Sequence, residues 1–125
     1  MLLTSSGGRP EIDAARIRLL LQRQVDGLIL SPASEDDQAT VRALVAADIP
    51  FVVIDREMPA VPEALYVHSD HYLGMTEATR HLLALGHRKI ALMAGPTTRL
   101  AKKRVRAFQD AHAAFWTRMS STTPF

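Results

Sequence analysis

The clearest fold signal is the run Val25-Asp26-Gly27-Leu28-Ile29-Leu30, which is followed at once by Ser31-Pro32-Ala33. The run ends in continuous apolar residues, which is typical of a strand buried on both faces of a parallel sheet. Further short apolar runs start near residues 1, 50, 65 and 88, and amphipathic stretches lie between them. This alternation predicts an α/β fold with a doubly wound, mostly parallel sheet and flanking helices.

The stretches between the apolar runs carry signals for helix starts. Pro10 suits a first helical position, and Glu11 and Asp13 place negative charge in the first turn, where the helix dipole favours it. Ser34 precedes three acidic residues and is predicted to cap the second helix. Asp70 is placed to cap the third helix.

The last third of the chain is expected to hold one more strand and one more helix. Gly86 fits the left-handed position that ends a helix, and residues 89–94 are apolar enough for a strand. A final helix is predicted over residues 100–115. Residues 116–125 show no periodicity and are predicted to be an irregular tail, which leaves residues 1–115 as a single body.

Length and composition limit the class of protein. The 125 residues suffice for one domain, and 47% hydrophobic with 22% charged residues is the globular norm. Cysteine is absent, which excludes a disulfide framework, a thiolate nucleophile and a Cys-ligated zinc. No apolar run is long enough to span a membrane, and the first residues lack the features of a signal peptide. We therefore expect a cytoplasmic protein without membrane association.

Charge is distributed unevenly along the chain. Residues 1–87 hold 7 basic and 12 acidic side chains, whereas residues 88–125 hold 8 basic and 1 acidic. The basic segment either faces an anion, such as nucleic acid or phosphate, or is an ordinary solvated surface.

The predicted strand ends indicate where a ligand would bind. In doubly wound sheets, ligands bind beyond the carboxyl ends of the strands. Those ends carry small or polar residues, in the stretches Thr4-Ser5, Ser31-Pro32-Ala33, Asp55-Arg56, Ser69-Asp70 and Gly95-Pro96-Thr97-Thr98.

Several segments, taken in order, resemble the lac-repressor/galactose-repressor family of bacterial transcription regulators. The most specific is Ala78-Thr79-Arg80-His81-Leu82-Leu83-Ala84-Leu85-Gly86-His87-Arg88-Lys89-Ile90-Ala91. Three segments precede it: Val25 to Leu30, Ile49-Pro50-Phe51-Val52-Val53-Ile54-Asp55-Arg56 and Asp70-His71-Tyr72-Leu73-Gly74. Gly95-Pro96, Arg104 and Phe108 follow at the expected distances. The resemblance covers about residues 1–114. His71 and Ala107 depart from the family pattern, which has Asn and Gly at these positions.

The resemblance implies part of such a regulator. It corresponds to a partial first lobe of a periplasmic-binding-protein-like effector domain, without the helix-turn-helix headpiece, the hinge, the first strand and helix, or the second lobe. It implies a small-molecule effector, a sugar, and a homo-oligomer that contacts DNA only through the headpiece. The alternatives are a dimerisation remnant of such a repressor and a sugar-binding component of a transport system.

The resemblance also supplies candidate ligand-binding residues. Arg104 aligns with a cleft arginine, whose guanidinium fork suits paired hydroxyls or a carboxylate. Asp70, Asp55, Arg56 and Ser31 are the further candidates. Each has an alternative interpretation: a solvated arginine for Arg104, a helix cap for Asp70, and a loop ion pair for Asp55 and Arg56.

Metal binding, cofactor binding and catalysis have little support in the sequence. His68, His71, His81 and His87 lie on a strand–loop–helix path along which their rings diverge, so no metal site is predicted. Phosphate-binding loops, dinucleotide-binding glycine motifs and nucleophile elbows are absent from the sequence. The chain is therefore expected to be neither an enzyme nor a cofactor carrier.

The resemblance raises one question about folding. The strand at residues 27–30 would lie at a sheet edge without charge or proline to block pairing. Either residues 1–3 pair with it, or two chains pair edge to edge. The second outcome is favoured, because so short a segment gains little by pairing.

Overall fold

The computed structural model describes residues 1–95 and 98–121, with side chains through residue 119. The chain divides into two compact units, Met1–Ser69 and Asp70–Phe125. The helices and strands in chain order are α1 (Pro10–Gln22), β1 (Leu28–Leu30), α2 (Gln38–Val45), β2 (Phe51–Ile54), β3 (Leu65–Val67), α3 (His71–Ala84) and α4 (Arg99–Ser121).

The first unit is built on a three-stranded parallel sheet in the order β1-β2-β3. Leu28 pairs with Phe51 in the first ladder, and Val53 pairs with Tyr66 in the second. The connections run through helices or loops, as parallel pairing requires. The predicted α/β class with a parallel sheet and flanking helices is confirmed.

The core of the first unit lies between one face of the sheet and helices α1 and α2. Leu28 and Val53 point into it and meet Ile17 and Leu44 from the helices. Along the same strands the alternate residues face the other way, and Ile29 remains 76% exposed. This alternation leaves the outer face of the sheet apolar and accessible.

The α1 start agrees with the sequence prediction, but the preceding segment does not. Pro10 occupies the first turn together with Glu11 and Asp13, after a turn at Gly7 and Gly8, both of which have positive φ. Residues 1–5 are not a strand: within the described chain no backbone hydrogen bond joins them to a neighbour, and Leu3 is 93% exposed. A strand needs a hydrogen-bonded partner, and apolar composition does not supply one.

The cap of α2 differs from the prediction. Asp37, not Ser34, caps the helix, because its carboxylate accepts from both the backbone N–H and the hydroxyl of Thr40 at 2.8 Å. Ser34 instead accepts from the N–H of Asp36. Glu35 is buried and holds the segment in this path by accepting from the N–H of Glu57 at 3.1 Å.

The second unit is a pair of packed helices. Asp70 caps α3 by accepting from the N–H of Leu73 at 2.9 Å, and Gly86 follows its end with φ of 94°. The buried residues Leu83, Ala107 and Ala111 lie in this unit. Small residues on α4 allow it to approach α3 closely.

Two predictions for the second unit are wrong. Residues 89–94 form no strand, since no other strand pairs with them in the described chain, and Met93 is 96% exposed. The last helix continues past Phe115 to Ser121, so residues 116–121 are helical where an irregular tail was expected. Ring contacts between His112 and Trp116, and a hydrogen bond from the Thr117 hydroxyl to Ala113 O, accompany the extra turns. The rest of the predicted tail, residues 122–125, lies outside the described residues.

None of the helices in the described residues is both long and apolar enough to cross a membrane.

Candidate functional site

An open cleft of about 590 Å³ lies in the first unit, beside β1 and the start of α1. Its lining includes Thr4 and Ser5 of the N-terminal segment, Asp13 of α1, Ser31 and Pro32 after β1, and Arg56 after β2. Cavities of this volume are typical of small-molecule sites. The position agrees with the rule that ligands bind beyond the carboxyl ends of parallel strands.

Ser31 and Arg56, two of the predicted ligand-binding residues, both line this cleft. Arg56 is held in place by two bonds, from Nε to Pro32 O at 2.9 Å and from a terminal nitrogen to Asp55 O at 2.7 Å. A guanidinium has five N–H groups, so three remain for a ligand. A fixed guanidinium beside a serine hydroxyl is suited to hydroxyl or carboxylate oxygens.

Asp55 lies next to the cleft but does not line it. It follows β2 in the left-handed conformation, with φ of 51°, and its N–H donates to Val67 O at 3.0 Å. Its side chain is exposed. The backbone of Asp55 contributes to the cleft, because its carbonyl oxygen accepts a hydrogen bond from Arg56.

Asp13 also lines the cleft, although the sequence did not predict it as a ligand-binding residue. Its side chain is only 9% exposed, and Oδ2 accepts from the N–H of Ala33 at 2.7 Å. This bond ties α1 to the loop after β1 that carries Ser31. The helical spacing of the sequence could have indicated this role, because Asp13 lies on the same face of α1 as Ile17 and Leu20. All three residues line the cleft.

Asp70 and Arg104 lie in the second unit. The carboxylate of Asp70 is the α3 cap, which favours the structural interpretation of this residue. Arg104, on α4, donates from Nε to His71 Nδ1 at 3.2 Å. A terminal guanidinium nitrogen of Arg104 also lies 3.1 Å from the same Nδ1 atom. The departure of His71 from the family pattern thus gives Arg104 a neighbour within the chain. Pro96 and Thr97 of the predicted rim lie outside the described residues.

The outer surface of α4 is basic. Lys102, Lys103, Arg104 and Arg106 are exposed, and Arg106 lies 3.6 Å from Asp110. Asp110 also accepts from the Tyr72 hydroxyl at 2.8 Å, and this hydrogen bond raises the pKa of Tyr72. Exposed ion pairs of this kind contribute little to stability.

In the described part of the chain, no three potential ligands among histidine and acidic side chains converge as a metal site would require. The titration of one carboxylate is nevertheless perturbed. The side-chain and backbone hydrogen bonds from Thr40 lower the pKa of Asp37, which is the α2 cap rather than part of the cleft.

The similarity of this chain to known proteins extends over nearly its whole length. Residues 1–120 match the family model described as "Periplasmic binding proteins and sugar binding domain of LacI family". The HTH-type transcriptional regulator DegA of Bacillus subtilis is 32% identical over 114 residues, which cover 89% of this chain and 34% of the relative. The lactose operon repressor of Escherichia coli is 29% identical over 90 residues, covering 71% of this chain and 24% of the relative.

A solved structure agrees with these relatives. The crystal structure of a protein assigned as a ribose operon repressor, from Burkholderia thailandensis, superposes with a TM-score of 0.80 at 27% identity. The match covers 90% of this chain and 43% of that chain. This chain spans about a third of the length of DegA. On this evidence the chain belongs to the family of periplasmic binding proteins and sugar-binding domains of the LacI type.

Proposed function

We propose that this chain is the effector-binding portion of a bacterial transcription regulator that acts in the cytoplasm, and that its effector is a sugar. One observation carries the proposal: Ser31 and a fixed Arg56 share a cleft at the carboxyl ends of parallel strands. Family membership supports the same conclusion. In the intact regulator the effector would shift a population between states of different operator affinity.

The cleft is open to solvent, so binding by this chain alone is expected to be weak. Association costs several kcal/mol before any net affinity appears, and hydrogen bonds that form in contact with water offset little of that cost. Calorimetry with a panel of pentoses, hexoses and purines is expected to show no micromolar binding. A micromolar constant for any of them would contradict this expectation.

The site itself is tested by amide chemical shifts at millimolar sugar. We expect shifts in the loops after β1 and β2 and in the first turn of α1, which Asp13 joins to the β1 loop, and we expect Arg56→Ala to remove them. Arg18→Ala is the matched control, because Arg18 is exposed on α1 but does not line the cleft. Shifts that persist in Arg56→Ala, or that disappear in Arg18→Ala, would contradict the assignment.

Self-association is the second part of the proposal. Two large apolar side chains, Leu82 and Leu85, are exposed near the end of α3 and lie within one helical turn of each other. Burying them in a homo-oligomer would remove apolar surface from water. Light scattering of Leu82→Glu should show a lower mass than the wild type, whereas Leu73→Glu, the same change nine residues earlier and therefore on the opposite side of α3, should not. Equal masses in all three proteins would contradict this interface.

A further inference from the structure

We infer that the effector of the cleft is an anionic carbohydrate, a sugar that carries a carboxylate or a phosphate group. The inference rests on the proposed function and names the class of sugar that the same site takes. It is drawn from the charged groups of the cleft and from the contacts that hold them. The charged side chains in the described lining are Asp13, Arg16 and Arg56.

The first argument is that the chain gives the positive charge of Arg56 no negative partner. Its guanidinium donates to Pro32 O and to Asp55 O, and both acceptors are uncharged carbonyl oxygens. Arg56 is half-buried, and among the described residues no carboxylate forms an ion pair with it. Charges that are taken out of water are normally paired with an opposite charge. A ligand carboxylate or phosphate would supply that charge to the N–H groups that the two carbonyls leave unused.

The second argument is that the acidic group of the cleft is already engaged. The side chain of Asp13 is only 9% exposed, and its Oδ2 atom accepts from the N–H of Ala33. No ion pair joins Asp13 to an arginine in the part of the chain that the structure describes. This carboxylate therefore serves the β1 loop, and it is poorly placed to accept from the hydroxyls of a neutral sugar.

The third argument is a second cation on α1. Arg16 follows Asp13 by three residues, lines the cleft and is exposed. It makes no hydrogen bond or ion pair with another side chain within the described ranges. With two guanidinium groups and one engaged carboxylate, the lining carries a net positive charge. Such a surface raises the local concentration of anions, whereas a neutral sugar gains nothing from it.

The test compares three related pyranoses, glucose, glucuronate and glucose 6-phosphate. Each is titrated in the millimolar range, and the amide chemical shifts of the loops after β1 and β2 are followed. Charge-assisted hydrogen bonds to Arg56 should make the half-saturating concentration of at least one anionic sugar about tenfold lower than that of glucose. Glucuronate and glucose 6-phosphate distinguish a carboxylate from a phosphate. Inorganic phosphate alone should bind more weakly than the preferred anionic sugar.

Three variants assign the preference to the two arginines of the cleft. Arg56→Gln should bring the anionic sugar to within about twofold of glucose. Arg16→Glu should weaken the anionic sugar about threefold and leave glucose unchanged, and it alters an exposed side chain that holds nothing in place. Arg18→Glu is the matched control, because Arg18 is exposed on α1 but does not line the cleft. At physiological salt this control should leave both affinities unchanged.

The outcomes separate this inference from the proposed function. Equal half-saturating concentrations for glucose and both anionic sugars would overturn the inference and leave sugar binding intact. The absence of shifts with all three sugars would overturn both. A preference for the anion that survives Arg56→Gln, or that Arg18→Glu reduces as much as Arg16→Glu, would also overturn the inference. So would inorganic phosphate that binds as well as the sugars, since the site would then recognise an anion without its sugar.

Discussion

The bond between Asp13 and Ala33 offers the sharpest test of how the cleft is held together. The carboxylate is nearly buried, and it accepts from a part-buried N–H at 2.7 Å. Asp13→Ala removes a charge-assisted hydrogen bond and leaves the Ala33 N–H without its acceptor. Such losses cost about 1.5–3 kcal/mol, so we expect the free energy of unfolding to fall by about 2 kcal/mol.

Urea unfolding followed by far-UV circular dichroism measures this change. With a slope of about 1.5 kcal/mol per molar urea, the midpoint should fall by about 1.3 M. Asp13→Asn keeps an oxygen acceptor but loses the charge, so its midpoint should fall by about half as much. Hydrogen exchange at the Ala33 amide should accelerate in Asp13→Ala, because that amide loses its acceptor.

Glu11→Ala separates this bond from the helix dipole. Glu11 lies in the same first turn of α1 and is exposed, so its removal costs only the dipole interaction, about 0.5 kcal/mol. If Asp13→Ala and Glu11→Ala lower the midpoint equally, the reasoning from the Ala33 bond is refuted. An unchanged exchange rate at Ala33 would refute it as well.

Three further expectations can be checked separately. Asp37→Ala should cost about 1 kcal/mol at neutral pH, whereas Asp37→Asn should cost little, since asparagine also caps helices. The fold lowers the pKa of Asp37, so the stability that its charge contributes is fully present above the pKa of the unfolded chain. That stability is lost as the pH falls through the lower pKa of the folded chain, and the acid unfolding curves of the wild type and Asp37→Asn should therefore converge. In a Tyr66→Phe background, absorbance titration should show Tyr72 ionising above pH 10, and Asp110→Asn should lower that midpoint. In a mobility-shift titration, any DNA complex should disappear between low and physiological salt, and sequence-selective retention would contradict a purely electrostatic contact.

Local signals in the sequence predicted much of the fold. The continuous apolar residues Leu28-Ile29-Leu30 form a strand as predicted, and Pro10, Asp70 and Gly86 mark helix ends as expected. Each of these signals depends on residues that are neighbours in the chain. A proline fixes its own φ, and a capping carboxylate binds an N–H three residues away.

The failures concern features that depend on distant residues. Residues 1–5 and 89–94 have apolar composition, but a strand forms only where another strand supplies its hydrogen bonds. Ser34 and Asp37 are both residue types that cap helices, and Asp37 is the cap in the structure. Between them lies Glu35, whose buried carboxylate accepts from the distant N–H of Glu57. The extension of α4 lies in a segment without glycine or proline before Pro124, so nothing in its local sequence required the helix to end at Phe115.

The candidate site shows the same division. Ser31 and Arg56 were predictable, because the ends of parallel strands share one edge of a sheet. The contacts that fix the loops around the cleft were not. Asp13 binds Ala33 across 20 positions of sequence, Glu35 binds Glu57 across 22, and Arg56 binds Pro32 across 24.

These three contacts have a consequence for how the cleft responds to a ligand. Each contact joins a loop or helix start of one strand–helix repeat to a loop of another. The polar groups of the cleft are therefore fixed relative to one another. A ligand that moves Arg56 must also shift the loop at Pro32, and through the Ala33 N–H it must shift Asp13 on α1. Chemical shifts induced at Arg56 should therefore extend to Ala33 and the first turn of α1 in the wild type. They should stop at the β1 loop in Asp13→Ala, because the contact that carries the displacement into α1 has been removed.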